Sequence, residues 1–320
     1  MHGKFTNLAP RVIVALVGIP IILFVSYIGG ILFLLLVSAI GIFALREYFT
    51  LARAKGADPQ IVVALVGLMA IHTSFFHERI QNFVLPFFID SGGISMLQKL
   101  QLFITVLFLF LVVVLIVELF RNKGSIFLNA GMTIFGVLYI GMFLSSLVGI
   151  RELFGAEFPY HLAIQFFPSS TAFSDDALSA TTYTWGGWTV IAIFVSIWMC
   201  DTLAYFGGLS MGQHKLFPRV SPNKSWEGAG WGFLGSVVTM ILFQQYFLPF
   251  LQMHQAIVIG VIVGVFGQIG DLIESLLKRD ANAKDSSELI PGHGGVLDRF
   301  DSLIFISPIL YLYIDFVVLS

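Results

Sequence analysis

Nine stretches of this chain are continuous, apolar and about as long as a bilayer is thick. They run roughly over 12–28, 31–50, 61–76, 100–120, 126–149, 187–208, 229–250, 255–277 and 302–319. A helix rises 1.5 Å per residue, so about 20 apolar residues cross a hydrocarbon core of about 30 Å. In lipid every backbone N–H and C=O must be paired within the protein, which leaves helices and closed barrels. The runs are continuous rather than alternating, and that excludes a barrel. Composition agrees: 57% of residues are hydrophobic and 11% charged, more apolar surface than a water-soluble domain can bury. The expected fold is an all-α, polytopic integral membrane protein of about nine transmembrane helices. Residues 1–186 form N-terminal helices with two outer loops, and 187–320 a C-terminal region carrying the chemistry, within one membrane-embedded unit.

Basic residues orient the bundle. With the N-terminus in the cytoplasm, fourteen of the seventeen Lys and Arg fall in cytoplasmic segments and only Arg79, Lys99 and Arg151 outside. That bias is the positive-inside rule, and it supports nine spans with the N-terminus in and the C-terminus out. The net charge of −2 gives no reason to expect a nucleic-acid partner. The single cysteine, Cys200, lies in an apolar run and reads as a small buried hydrophobe. MHGKFTNLAPR ahead of the first run shows no small-residue cleavage site and reads as the start of an uncleaved first helix. Gly29-Gly30 separates the first two spans, and the short third span is expected to be tilted or partly re-entrant. The outer segments 77–99 and 150–186 are expected to be loops. Asp175 and Asp176 read there as a solvated acidic pair rather than a cation site. No internal repeat is visible.

Polar residues are costly at membrane depth and mark function by default. Three motifs concentrate them on the cytoplasmic side of the last four spans. In SIWMCDTLAYFGG, Asp201 sits inside an apolar run, with Tyr205 and Gly208 on its helical face. Gly207-Gly208 would let the backbone approach something closely. In the loop SPNKSWEG, Ser221, Asn223, Lys224 and Ser225 offer donors for phosphate oxygens. Glu227 would orient Lys224 or help hold a metal. Helix capping alone would also account for part of this loop.

The third motif is DLIESLLKRDANAKDSSELIPGHGGVLDRFDS, 271–302. At 100° per residue Asp271, Ser275 and Lys278 share one helical stripe, with Glu274 on its flank. Lys278, Arg279 and Lys284 supply cations. Gly294-Gly295 would let backbone N–H groups reach a ligand, and His293 would carry a proton or bind phosphate. Asp298 and Asp301 follow at i, i+3 with Arg299 between them. Topogenic charge explains the three cations but not four carboxylates at membrane depth. Asp271 and Asp298, from different helices, would hold Mg2+ and leave room for phosphate and water.

The run Ser275-x-Leu277-Lys278-Arg279, then Lys284-Asp285-x-Ser287, then Ile290-Pro291-x-His293-Gly294-Gly295-Val296-x-Asp298-Arg299-Phe300-Asp301 resembles the signature of the phosphatidate cytidylyltransferase family, the CDP-diacylglycerol synthases. D-T-x-A-Y-x-x-G at 201–208 and the S-P-N-K-S-W-E-G loop are similar to further blocks of that family. Ser225 stands where Thr is more usual. The resemblance covers about 196–305. It implies the reaction CTP + phosphatidate → CDP-diacylglycerol + pyrophosphate, with magnesium. Asp271 and Asp298 would be the metal ligands, and with Lys278 and His293 they form the candidate catalytic set. Lys224, Lys278, Arg279 and Lys284 would bind phosphates. Ser221, Asn223, Ser225, Asp201, Glu227, Asp285, His293, Arg299 and Asp301 would position substrate. CTP would come from the cytosol and phosphatidate from the bilayer lipids. The resemblance is also compatible with a homodimer, and the short N-terminus ahead of the first span reads as that of a bacterial cell-membrane enzyme rather than an organellar one. Two other classes compete: a CTP-dependent lipid or polyprenol kinase, which would release CDP, and an ion-coupled transporter using Asp201, Asp271 and Glu274 as a relay.

Overall fold

In the computed structural model the described residues are 8–77, 99–155, 158–159, 161–162, 175–287, 289 and 294–320. Among them the chain forms nine long helices and one hairpin. The helices are α1 (Leu8–Ile28), α2 (Gly30–Ala54), α3 (Ile61–Phe75), α4 (Lys99–Arg121), α5 (Ile126–Glu152), α6 (Asp175–Met211), α7 (Trp226–Tyr246), α8 (Met253–Asp280) and α9 (Leu297–Val318). The hairpin pairs β1 (Lys215–Phe217) with β2 (Ser221–Ser225) in antiparallel register, Lys215 opposite Ser225. Six helices, α2, α4, α5, α6, α8 and α9, are long and apolar enough to cross a membrane. The chain is therefore a multi-pass, all-α membrane protein. The remaining three are less extreme: α1 and α3 contribute shorter apolar stretches, and α7 carries seven polar or glycine residues in its first turns and middle.

Two segments differ from the sequence expectation. α6 begins at Asp175, twelve residues before the predicted span, so the stretch read as outer loop is helical from there on. Its hydroxyls do not oppose the helix, because they bond back to it: Thr182 donates to the Ser179 carbonyl, Thr184 to Ala180 and Thr189 to Trp185. Ser221–Ser225, read as loop, is strand β2.

The core lies between the two halves of the chain. On α2, Phe33, Val37, Ile40, Ala44, Tyr48 and Leu51 recur at helical spacing and are buried. α9 packs against α2, α5 and α8. The α6–α7 contact is made by small residues: a Cβ on Gly228 would stand 2.7 Å from the Ala204 carbonyl oxygen, and one on Gly232 2.8 Å from that of Cys200. Such residues let backbones meet where lipid supplies no hydrophobic drive between helices. Gly207, expected to admit a ligand, instead admits the Trp231 ring of α7. Cys200 is buried against this seam, as expected.

One end of the bundle is closed by Arg151 of α5, which is fully buried. Its guanidinium donates to the carbonyls of Ser26 (3.1 Å), Tyr27 (3.0 Å) and Ile28 (3.4 Å), the orphan acceptors at the end of α1, and stacks 3.6 Å from the Tyr183 ring centroid. Gly29 must be glycine here: its φ is +71°, and a Cβ would lie 2.6 Å from the guanidinium carbon. A second buried network joins α3, α4 and α5, where Glu118 accepts from Gln60 Nε2 at 2.8 Å, from Arg121 Nη1 at 3.2 Å and from Asn129 Nδ2 at 3.5 Å.

Candidate active site

The other end gathers the three motifs. It is built from the C-terminal turns of α6 and α8, strand β2, and the N-terminal turns of α7 and α9. Tyr183 and Asp201 lie eighteen residues apart on α6, about 27 Å at 1.5 Å per residue, so the two charged ends are well separated.

The hairpin delivers Lys224 to α8. Its ammonium lies 2.5 Å from Asp271 Oδ2, and Ser275 donates to Asp271 Oδ1 at 3.3 Å. Asp201, on α6, lies within electrostatic reach of Asp271, Lys224 and Arg299, and Asp301, buried on α9, within reach of Asp271, Asp201 and Lys224. Lys224 thus pairs with Asp271, and the charges of Asp201 and Asp301, from two further helices, act on that pair.

One turn further along α8 is a second group. Lys278 is buried, and its ammonium lies 2.6 Å from Glu274 Oε2 and 2.6 Å from Asp298 Oδ1. Asp298 Oδ2 accepts from the Gly295 N–H at 2.8 Å, the Ser286 N–H at 3.0 Å and the Ser286 hydroxyl at 2.9 Å. The helical stripe predicted for α8 is therefore present, with Glu274 on its flank and 1% exposed.

Several residues sit differently from their expected parts. Lys278 faces the two acids rather than the cleft, because a buried ammonium needs immediate counter-charge. The Gly295 N–H, expected for a ligand, is taken by Asp298. Ser225 is the N-cap of α7 and accepts from the Gly228 N–H at 3.1 Å, the capping alternative raised by the sequence. Glu227 does not meet Lys224. Its carboxylate accepts from His214 Nδ1 at 2.6 Å and from the Gln213 and His214 N–H groups. The His214 bond, together with the backbone donors, lowers its pKa to about 2. Arg279 is exposed and donates to the Val220 and Ala283 carbonyls, fastening the hairpin to the end of α8. Ser221 is half-buried, and Asn223, Lys284, Asp285 and Arg299 are exposed around the cleft. His293 lies outside the described residues, as do the side chains of Asp175 and Asp176.

One residue was missed entirely. Glu47 of α2, 5% exposed, accepts four hydrogen bonds from the third motif: Ser286 Oγ (2.9 Å), Ser287 Oγ (2.6 Å), and the N–H groups of Val296 (2.9 Å) and Leu297 (2.7 Å).

Five carboxylates, Asp201, Asp271, Glu274, Asp298 and Asp301, face three cations, Lys224, Lys278 and Arg299. All the donors are oxygens. That set suits a hard divalent cation taking a few carboxylates with water and phosphate completing its shell. Among the described residues no three acidic, His or Cys side chains converge as a ready-made cage.

The profile of the cytidylyltransferase family matches residues 9–317. The chain belongs to the cytidylyltransferase family. Within this family it is 32% identical over 313 residues to the phosphatidate cytidylyltransferase of Bacillus subtilis, covering 95% of this chain and 97% of that protein. It is 31% identical over 309 residues to the phosphatidate cytidylyltransferase of Synechocystis, 95% of each chain. With that of Staphylococcus aureus the figure is 30% over 302 residues, 94% of this chain and 96% of the relative. The cytidylyltransferase match thus spans both halves of the chain, including α2 and Glu47, and not only the motifs after residue 196.

Proposed function

We propose that this cytidylyltransferase converts CTP and phosphatidate to CDP-diacylglycerol and pyrophosphate. The observation that carries the reading is the convergence of Lys224, Asp271, Lys278 and Asp298, from a strand and two helices, at one end of a membrane bundle whose whole length matches the family. A phosphate oxygen of the lipid attacks the α-phosphorus of CTP, and the bond to the bridging oxygen of pyrophosphate breaks. The attacking phosphate is already anionic near neutral pH, so no strong general base is needed. Catalysis is then chiefly positioning and neutralisation of charge. Lys224, which sits over Asp271 at the cleft, meets phosphate oxygens. Arg299 and Lys284 add positive charge at the rim. Lys278 holds the Glu274–Asp298 pair in place.

Magnesium is part of the proposal. Asp271 and Asp298 would hold it, and it would supply charge neutralisation at the triphosphate. The excess of carboxylates over cations in the cleft supports this. The nine-span topology with a cytoplasmic N-terminus rests on the distribution of basic residues, and it sets the cleft on the cytoplasmic face of the cell membrane, where CTP is. The division into an N-terminal half and a catalytic 187–320 half rests on where the motifs lie. Assembly as a homodimer rests on the family resemblance alone.

The test is an assay of the purified protein in detergent with labelled CTP, phosphatidate and Mg2+. CDP-diacylglycerol and pyrophosphate are expected, with both lost when magnesium is chelated. Release of CDP with phosphorylation of a lipid alcohol would overturn the reading in favour of γ-phosphoryl transfer.

A further inference from the structure

The first half of the chain contributes no motif, yet it places one carboxylate inside the third. Each oxygen of Glu47 takes one hydroxyl and one backbone N–H: Oε1 takes Ser287 Oγ and Val296 N, and Oε2 takes Ser286 Oγ and Leu297 N. Val296 and Leu297 open α9, so their N–H groups are among the orphan donors of a helix start, where negative charge is favoured. Ser286 and Ser287 lie on the loop that leaves α8. Glu47 therefore ties both ends of the 281–297 connection to α2. No Lys or Arg pairs with it among the described residues, so these four donors and the helix start hold its charge. Gly295 is part of the same fit, since a Cβ there would collide with Ser286 Oγ and Glu47 Oε2.

The tie reaches the cleft through one atom. Ser286 Oγ lies 2.9 Å from Glu47 Oε2 and 2.9 Å from Asp298 Oδ2. A hydroxyl has one proton, so Ser286 shares it between the two carboxylates, donating to one at a time while its oxygen stays within hydrogen-bond distance of both. The Ser286 and Gly295 N–H groups, on the same tied loop, are the other donors to Asp298 Oδ2, while Lys278 of α8 meets Oδ1. A shift of the loop would move Asp298 with it.

We propose that Glu47 is a positioning residue for the reaction, fixing Asp298 through Ser286 and the start of α9. This rests on the proposed cytidylyl transfer, and the test separates the two. Glu47→Gln keeps size but offers one acceptor oxygen. Whichever way the amide turns, one hydroxyl can reverse to accept from its NH2, but one backbone N–H of α9 cannot. Ser287→Ala removes a single donor and serves if Glu47→Gln fails to fold.

Hydrogen exchange of peptides over 281–297 is measured with kcat and KM for CTP in wild type and both variants. A positioning role predicts faster exchange confined to 281–297. It also predicts kcat lowered about tenfold to a hundredfold in Glu47→Gln, the scale of loss when a reacting group is displaced by about 1 Å. Ser287→Ala should fall between, with the melting temperature little changed. Exchange rising throughout the protein, with turnover per folded molecule within twofold of wild type, would make Glu47 merely structural and overturn the proposal. If wild type makes no CDP-diacylglycerol, the proposed function fails. The tie is then judged by exchange alone, and unchanged protection over 281–297 in Glu47→Gln rejects it.

Discussion

The two charged ends of this bundle solve the same problem in opposite ways. At one, Arg151 is buried and its charge is met by carbonyls of α1 and the face of Tyr183. These are parts of the fold and cannot leave. At the other, Asp271 is met by Lys224 and Asp298 Oδ1 by Lys278, charges on movable side chains, with backbone N–H groups on Asp298 Oδ2 alone. A carboxylate held by an ammonium can exchange it for a metal, and an ammonium so released can take a phosphate. Backbone partners make a fastening, while side-chain partners of opposite sign, in excess on one side, make a site. Substitutions at each end separate the two kinds of partner.

The largest effect is expected at the exchangeable end. Asp298→Asn and Asp271→Asn each keep shape and remove a charge. Turnover should fall by at least about 10²–10³-fold, the scale for removing a group that stabilises transition-state charge. The melting temperature should change little, because the lysine left behind can turn toward the remaining acids. Full activity in Asp298→Asn, measured as CDP-diacylglycerol formed, would end the metal assignment. At the other end Arg151→Met should do the reverse. It leaves α1 carbonyls unpaired in the core and should cost about 3 kcal/mol or more, read as a large drop in melting temperature. Turnover per folded molecule should stay within about twofold. A kinetic defect in Arg151→Met would show that the two ends are coupled and that the contrast is false.

Lys224→Met tests the site from the cation side. Losing a charge-assisted contact of about 1.5–3 kcal/mol should lower kcat/KM for CTP about ten- to a hundredfold. The defect should be smaller than that of Asp271→Asn, because Arg299 remains nearby. An unchanged KM for CTP would place the triphosphate elsewhere.

What the sequence shows and what it hides follow the same division. Apolar runs are legible because lipid imposes their length, so helix positions agree with the structure to within a few residues over most of the chain. The α8 stripe of Asp271, Ser275 and Lys278 is legible because helical spacing alone brings it together. Glu47 is not, because its partners lie 239 to 250 residues away and two of them are backbone N–H groups, which leave no mark in composition or spacing. Arg151 is only partly legible for the same reason: as a letter it is one more outer-side charge, while its carbonyl partners are invisible. Glu227 looks like a partner for Lys224 three residues earlier, but the hairpin turns the two apart and aims the carboxylate at His214.

That pairing gives the smallest and most local expectation. Glu227 stands in the first turn of α7 beside the hairpin, outside the apolar run. Its pKa is lowered from 4.5 to about 2, chiefly by the hydrogen bond to His214. A carboxyl with a depressed folded-state pKa contributes stability that is complete above its unfolded value and is lost as pH falls through the folded one. The window is therefore from about 4.5 down to about 2. Both partners are solvent-accessible, so the effect is small. The melting temperature of wild type should fall more steeply than that of Glu227→Gln between pH 5 and 3, after correction for any fall shared by the two proteins. The hairpin carrying Lys224 should loosen first, seen as faster exchange over 213–225. Parallel curves for the two proteins would mean that Glu227 does not hold the hairpin, and Lys224 would then owe its place to Asp271 alone.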